Sequence, residues 1–245
     1  MYRFLFDLTA GGGDTVLLSK EESRHISKAL RLHPGTEIEL FDGKGTVCKG
    51  KILEIGSRVR VHLGSCTSKK VTPGKAVWVL QGMLKGKKMD IVVQKCTELG
   101  ATRFNPFVSS RCQMKFNIMQ NNSRQERWQR ITIAACKQCL RARPLIVDQP
   151  VPFSGLFDLP GPGSRPLRLL FWEEETVVRL HDLPSFDGFD AIYLLLGPEG
   201  GLTVKEVEMA REAGWLTVSL GDHILRAETA TLSALSIVQY LAGNI

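Results

Sequence analysis

Three runs of almost unbroken apolar character, AVWVLQG (76–82), LRLLF (167–171) and AIYLLLG (191–197), most strongly limit how this chain can fold. A strand with one face in water alternates apolar and polar residues, so a strand apolar throughout must be covered on both faces. Segments with helical spacing lie between them: KMDIVVQKCTELG (88–100), closed by Gly100, then SRQERWQRITIAACKQCLRAR (123–143), ended by Pro144, then Thr203–Ala213. Ser123 with Glu126 and Thr203 with Glu206 each form a helix-capping signal. RFNPFV (103–108) and WLTVSLG (215–221) supply further strands, whereas 150–166 reads as loop. The alternation predicts an α/β domain over 75–245 with a mostly parallel sheet between helical layers.

The first seventy residues follow a different rule. TEIELFDGKGTVCKGKILEIGSRVRVHLG (36–64) alternates at Ile38 and Leu40 and at Val59, Val61 and Leu63, with turns at Asp42-Gly43, Gly45, Gly50 and Gly56. This is the pattern of short antiparallel strands in a small barrel or sandwich. SKEESRHISKALRL (19–32) is a short helix with Ile26, Ala29 and Leu30 on one side, ended by Pro34-Gly35. The turn-rich segment 64–75 reads as a linker between domains 1–70 and 75–245.

Composition narrows the partners. An excess of 32 Lys+Arg over 25 Asp+Glu, a net charge of +7, favours a polyanion without naming one. The absence of a long apolar run or leader-like start points to a cytoplasmic protein without a membrane span. Cys48, Cys66, Cys96, Cys112, Cys136 and Cys139 are expected as reduced thiols, and the lone Cys136-x-x-Cys139, inside a helix, as small buried side chains and not a metal site.

LLLGPEGGLT (194–203) passes from aliphatic strand into three glycines, one proline and one carboxylate. It lacks the G-x-G-x-x-G spacing of a dinucleotide fold. GTVCKGKI (45–52) nearly fits a phosphate loop, but Ile52 stands where a hydroxyl is needed and the sequence continues as strand. An anion at the helix beginning near Thr203 would compete with the capping box for amides and meet Glu199. A neutral or cationic ligand against bare backbone remains, as does an ordinary strand-to-helix turn. VSLGDHILRAETATLSAL (218–235) repeats the arrangement, and two such strand ends separated by one helix would line one crevice at the carboxyl edge of a parallel sheet.

The pair LLLGPEGGLTVKEV and LGDHILRAETATLSAL resembles the signature of the ribosomal RNA small-subunit methyltransferase E family, of the knotted SPOUT class. HISKALRLHPGTEIELFDGKG resembles its N-terminal PUA-like, RNA-binding barrel. KGKKMDIVVQKCTELGATRFNPFVSSRC and RWQRITIAACKQCLRAR resemble its first catalytic block and long helix. The resemblance implies a deep trefoil knot, with the final helix (228–241) passing through the loop at 196–201, and S-adenosyl-L-methionine as cofactor. It further implies methylation of uridine N3 in 16S ribosomal RNA, free or in the assembled 30S subunit, and a homodimer through the knot domain, with Ile237, Val238, Tyr240 and Leu241 as candidate surface. Another SPOUT methyltransferase, acting on a ribose hydroxyl or a transfer-RNA base, and a catalytically silent knotted RNA-binding protein are the alternatives.

Carried over residue by residue, the cofactor contacts are Leu196, Gly197, Glu199, Gly200, Gly201, Leu220, Gly221, Ile224, Leu225, Arg226 and Thr229. Arg226 and Glu228 are the catalytic candidates. Arg226 would stabilise charge developing on the uracil oxygens, or else pair with Glu228 or cap the helix. RNA candidates are Arg24, Arg31, Lys85, Lys88, Arg111, Lys115, Arg141 and Arg143, with Lys28 and Lys87 in the same groups, as phosphate contacts. The chain departs from the family at Leu140, where glycine is common, and at His223, where arginine is common.

Overall fold

The computed structural model describes residues 1–7, 11–68, 74–112, 118–161, 163–183 and 185–245, which group into two units. The first is 1–72 with 133–144, the second 73–132 with 145–245. Residues 133–144, which the sequence pattern places in the second domain, pack with the first. There Lys137 Nζ meets Glu22 at 2.6 Å and the Arg3 guanidinium donates to the Cys136 carbonyl at 2.9 Å.

The first unit holds strands β1 (Arg3–Leu5), β2 (Gly11–Gly12), β3 (Thr15–Leu17), β4 (Glu37–Phe41), β5 (Thr46–Ile55) and β6 (Val59–Ser68), ordered β1-β4-β5-β6-β3-β2. All pairings are antiparallel except β1 with β4. Ile38, Leu40, Ile52, Val59 and Val61 fill its core with Phe4, Leu18 and Ile26, as alternation requires. Helix α1 (Lys20–Arg24), capped by the Ser19 side chain, runs on through a π-helical turn at His25–Ala29. Two expectations change. Strand β6 continues through 64–68, assigned above to the linker, and its register sets Cys66 opposite Cys48 with Cα atoms 4.0 Å apart, joined in a disulfide where free thiols were expected.

The second unit holds β7 (Ala76–Gly82), α2 (Lys88–Glu98), β8 (Arg103–Val108), α3 (Ile118–Cys139), which ends within the first unit, β9 (Ile146–Val147), β10 (Val151–Pro152), β11 (Pro166–Phe171), β12 (Ala191–Leu196), α4 (Val204–Glu212), β13 (Leu216–Val218) and α5 (Ala227–Leu241). The sheet runs β10-β8-β7-β12-β11-β13, with β9 also on β8, and every pairing is parallel. Its apolar strands are buried on both faces. Val77, Val79, Ile192, Leu194 and Leu169 face α2, α5 and Trp128 of α3; Trp78, Leu80, Tyr193, Leu195 and Leu170 face α4 and Phe153.

Helix α3 begins at Ile118, so Ser123 lies inside it and does not cap it. It also ends at Cys139, before Pro144, because Leu140 adopts a left-handed φ of 63°. Glycine takes that conformation without the Cβ clash, so the departure at Leu140 falls where glycine would cost least. Strands β9 and β10, two residues each, are too short for any periodicity to announce them.

Candidate active site

The parallel register brings three strand ends side by side: Phe171 of β11 lies opposite Leu196 of β12 on one side and Val218 of β13 on the other. Beyond this edge the chain encloses a cavity of about 410 Å³, bounded by 196–199 and Gly201, 171–173 and 219–227, with Lys88 of α2 and Ala230 of α5. That volume lies within the range of roughly 300–1,000 Å³ usual for small-molecule sites.

The turn 197–201 is packed from every side. A side chain at Gly82, at the end of β7, would strike the backbone nitrogen of Pro198, so the turn rests directly on that strand. Buried Gln81 donates to the carbonyls of Gly197 at 3.0 Å and Gly82 at 3.1 Å, while its oxygen accepts from the Thr231 hydroxyl of α5. Arg111 Nη1 donates to the carbonyls of Gly200 and Leu202, both at 3.2 Å. Gly201 has φ +69° and its missing Cβ leaves room for the Glu173 carboxylate. The glycine thus admits a neighbouring side chain. After the turn, Thr203 and Glu206 form the expected capping box with both reciprocal bonds, and Glu206 also accepts from the Ser110 N–H at 2.8 Å.

The second loop is open. Gly221 has φ +114° with nothing near its absent side chain, and Ile224 is 86% exposed. Its attachments are few: Asp222 pairs with Arg179 at 2.7 Å, and the Ser219 hydroxyl accepts from the Gly221 N–H at 3.2 Å.

Charge is organised by Lys88, whose ammonium lies 3.4 Å from Glu199 and 3.5 Å from Glu228 and so links the turn to the start of α5. Burial pushes the Glu199 carboxyl upward, but the Lys85 N–H at 3.0 Å and the Lys88 ammonium hold it below its ordinary value. Glu228 therefore faces Lys88 and not Arg226. Arg226 is the N-cap residue of α5, where its carbonyl accepts from the Ala230 N–H at 2.8 Å; its side chain makes no cap, stands exposed, and has no ion pair or hydrogen bond among the described residues.

Of the residues assigned to the cofactor, Leu196, Gly197, Glu199, Gly201, Leu220, Gly221, Ile224, Leu225 and Arg226 line the cavity; Gly200 and Thr229 do not. Of the basic residues, Lys85, Lys88 and Arg111 all contact the 197–202 turn. On the first unit, Arg24, Lys28 and Arg31 are exposed, and Arg143 lies over Gly45. Arg141 is half-buried near Cys136 and Cys139, and burial lowers its pKa. Lys115 lies outside the described residues. Phe171, Trp172, Glu173, Ser219, Asp222 and His223 also line the cavity and were not singled out as ligands. The position of LRLLF between two glycine-ended strands was the usable signal for the first three, but sheet order is not written in sequence order. Gln81 gave no signal beyond a polar residue in an apolar run.

Residues 72–239 match the RNA methyltransferase domain family, and 18–62 match the RNA methyltransferase PUA domain. The Ribosomal RNA small subunit methyltransferase E of Synechocystis is 31% identical, covering 93% of this chain and 73% of its own length. Its Bacillus subtilis counterpart is 28% identical over 98% and 96%. Among solved structures, a Ribosomal RNA small subunit methyltransferase E from Neisseria gonorrhoeae bound to S-adenosyl methionine superposes with TM-score 0.87 at 31% identity, covering 98% of each chain. A putative methyltransferase from Legionella pneumophila in complex with SAM gives TM-score 0.88 at 28% identity, covering 98% of this chain and 97% of its own.

Proposed function

The chain belongs to the ribosomal RNA small subunit methyltransferase E family, and on that premise we propose that it methylates N3 of a uridine in 16S ribosomal RNA with S-adenosyl-L-methionine. The observation that carries the reading is the single cavity enclosed by both glycine loops. Its wall combines apolar side chains, Phe171, Leu196, Leu220, Leu225 and Ala230, with bare backbone and carboxylates. This lining suits an adenosyl group whose adenine needs backbone hydrogen bonds and whose sulfonium is cationic.

When bound, the cofactor supplies an activated methyl group. The chain's part is to hold the uracil edge behind that methyl, exclude competing geometries and stabilise charge. Arg226 lines the cavity with a side chain that has no partner among the described residues, and its role in this proposal is to donate to the uracil oxygens as they gain negative charge. Lys88, between Glu199 of the turn and Glu228 of α5, holds the two in register. Exposed Arg24 and Arg31 on the first unit, with Lys85 on the second, are the proposed phosphate contacts, acting without sequence preference.

We further propose a trefoil knot, cytoplasmic action on ribosomal RNA or the 30S subunit, and a homodimer. Ile237, Tyr240 and Leu241 of α5 are exposed, as is Ile91 of α2, which packs against α5; these support a dimer face, whereas Val238 belongs to the core.

Arg226→Ala should lower turnover by roughly 100-fold, the cost of losing one charge-stabilising donor. Calorimetry should show S-adenosylhomocysteine still binding with about −8 kcal/mol, a micromolar affinity. Unchanged turnover in this variant would remove Arg226 from the reaction.

A further inference from the structure

Four carboxylates stand in or beside the cavity, and three are committed. Glu199 accepts from the Lys85 N–H and faces Lys88, Glu228 faces the same ammonium, and Asp222 pairs with Arg179. Glu173 alone has neither a hydrogen bond nor an ion pair among the described residues. It lies two residues beyond Phe171, whose neighbours in the sheet are Leu196 and Val218, so it emerges between the two glycine loops. Its carboxylate occupies the space left by the missing side chain of Gly201 and lines the cavity shared with Arg226. Among the carboxylates and guanidinium groups lining the cavity, Glu173 and Arg226 are thus the two whose side chains have no partner among the described residues; on the same wall the Trp172 indole N–H makes no hydrogen bond and the His223 ring has no partner either.

Resting on the reading that this cavity methylates uridine N3, we propose that Glu173 is the base that takes the N3 proton. The uracil edge presents O2, N3–H and O4, acceptor, donor, acceptor. A carboxylate complements the central N–H and a guanidinium an adjacent oxygen. The N3 proton and the incoming methyl occupy the same in-plane position, so deprotonation precedes transfer, and a carboxylate free of partners can accept the proton and withdraw. The proton moves from N3 to a Glu173 oxygen, leaving the nitrogen its electron pair and charge spread over O2 and O4 beside Arg226. The N3 pair then forms the bond to the methyl carbon while the carbon–sulfur bond breaks, its electrons remaining on sulfur as a neutral thioether. Glu173 afterwards releases its proton to water.

The test compares wild-type protein with Glu173→Gln, whose amide has similar shape and cannot accept the proton. Near pH 7 the variant should make 3-methyluridine about 100-fold more slowly or worse, within the range for loss of a general base. Its calorimetric affinity for S-adenosylhomocysteine should stay within about twofold of wild type, a change below roughly 0.5 kcal/mol. The rate deficit should shrink more than about tenfold by pH 9.5, where N3 ionises unaided. RNA carrying 5-fluorouridine at the target, with a more acidic N3, should narrow it near neutral pH, and Glu173→Asp should keep part of the activity. Wild-type turnover in Glu173→Gln, a deficit that ignores pH and N3 acidity, or a loss of cofactor affinity that accounts for the whole deficit would each overturn the proposal. No 3-methyluridine from wild-type protein would instead overturn the parent reading, and this assignment with it.

Discussion

The two glycine loops begin alike, each at the carboxyl end of an apolar parallel strand, and end differently. Around 197–201 the bare Cα atoms are filled in by the chain itself: Pro198 rests on Gly82, the Arg111 backbone lies against Gly200, and the Glu173 carboxylate lies over Gly201. Around 221–225 no described atom lies within 4 Å of where a Gly221 side chain would begin, and Ile224 stands in solvent. Glycine therefore serves two purposes, with three residues in the first loop (Gly197, Gly200, Gly201) and Gly221 in the second. One loop is a rigid wall held by packing and by the Gln81 amide; the other is a left-handed bend whose inner surface remains available. A ligand between them would meet a preorganised surface on one side and an adaptable one on the other.

Substitutions can break this contrast. Gly82→Val should have the largest effect, because its Cβ meets Pro198 backbone that cannot move aside without displacing the whole turn. We expect a loss of about 3 kcal/mol or more in chemical denaturation, with cofactor binding lost as well; a loss under about 1 kcal/mol would show the turn to be compliant. Glu206→Gln should cost about 1–2 kcal/mol near neutral pH by weakening the cap and the Ser110 bond. Burial raises the Glu206 carboxyl, but hydrogen bonds from the Ser110 and Thr203 N–H groups and their hydroxyls hold it below its ordinary value. Its contribution is thus complete above that ordinary value and fades as pH falls through the lower folded value. Wild type and variant should converge in acid, as measured by denaturation across pH. Gly221→Ala should have the smallest effect, about 1 kcal/mol from its positive φ alone, since no atom lies in the way. A cost matching that of Gly82→Val would erase the distinction between the loops.

The same contrast explains what the sequence could and could not disclose. Apolar runs such as AIYLLLG specify burial on both faces, and Thr203 with Glu206 specifies where α4 begins, because both depend on neighbours in the chain. The closed turn depends on partners from elsewhere, Gly82 and Gln81 on β7, Arg111 after β8 and Glu173 after β11. Their positions follow from a strand order that sequence order does not reveal. The early end of α3 at Leu140 was hidden for another reason: a leucine in left-handed conformation contradicts local propensity, and the nearby proline gave a plausible but wrong stop. Cys48 and Cys66 met only through the β5–β6 register.

Methyl transfer to N3 of uridine in small-subunit ribosomal RNA is the reaction proposed for the cavity between these loops. Its most direct test is incubation of purified protein with labelled S-adenosyl-L-methionine and 30S subunits, or 16S RNA, from cells lacking the protein, followed by digestion and mass spectrometry of the nucleosides. Label is expected in 3-methyluridine at a single position; label on a ribose hydroxyl, on another base, or on neither RNA form would overturn the proposed reaction.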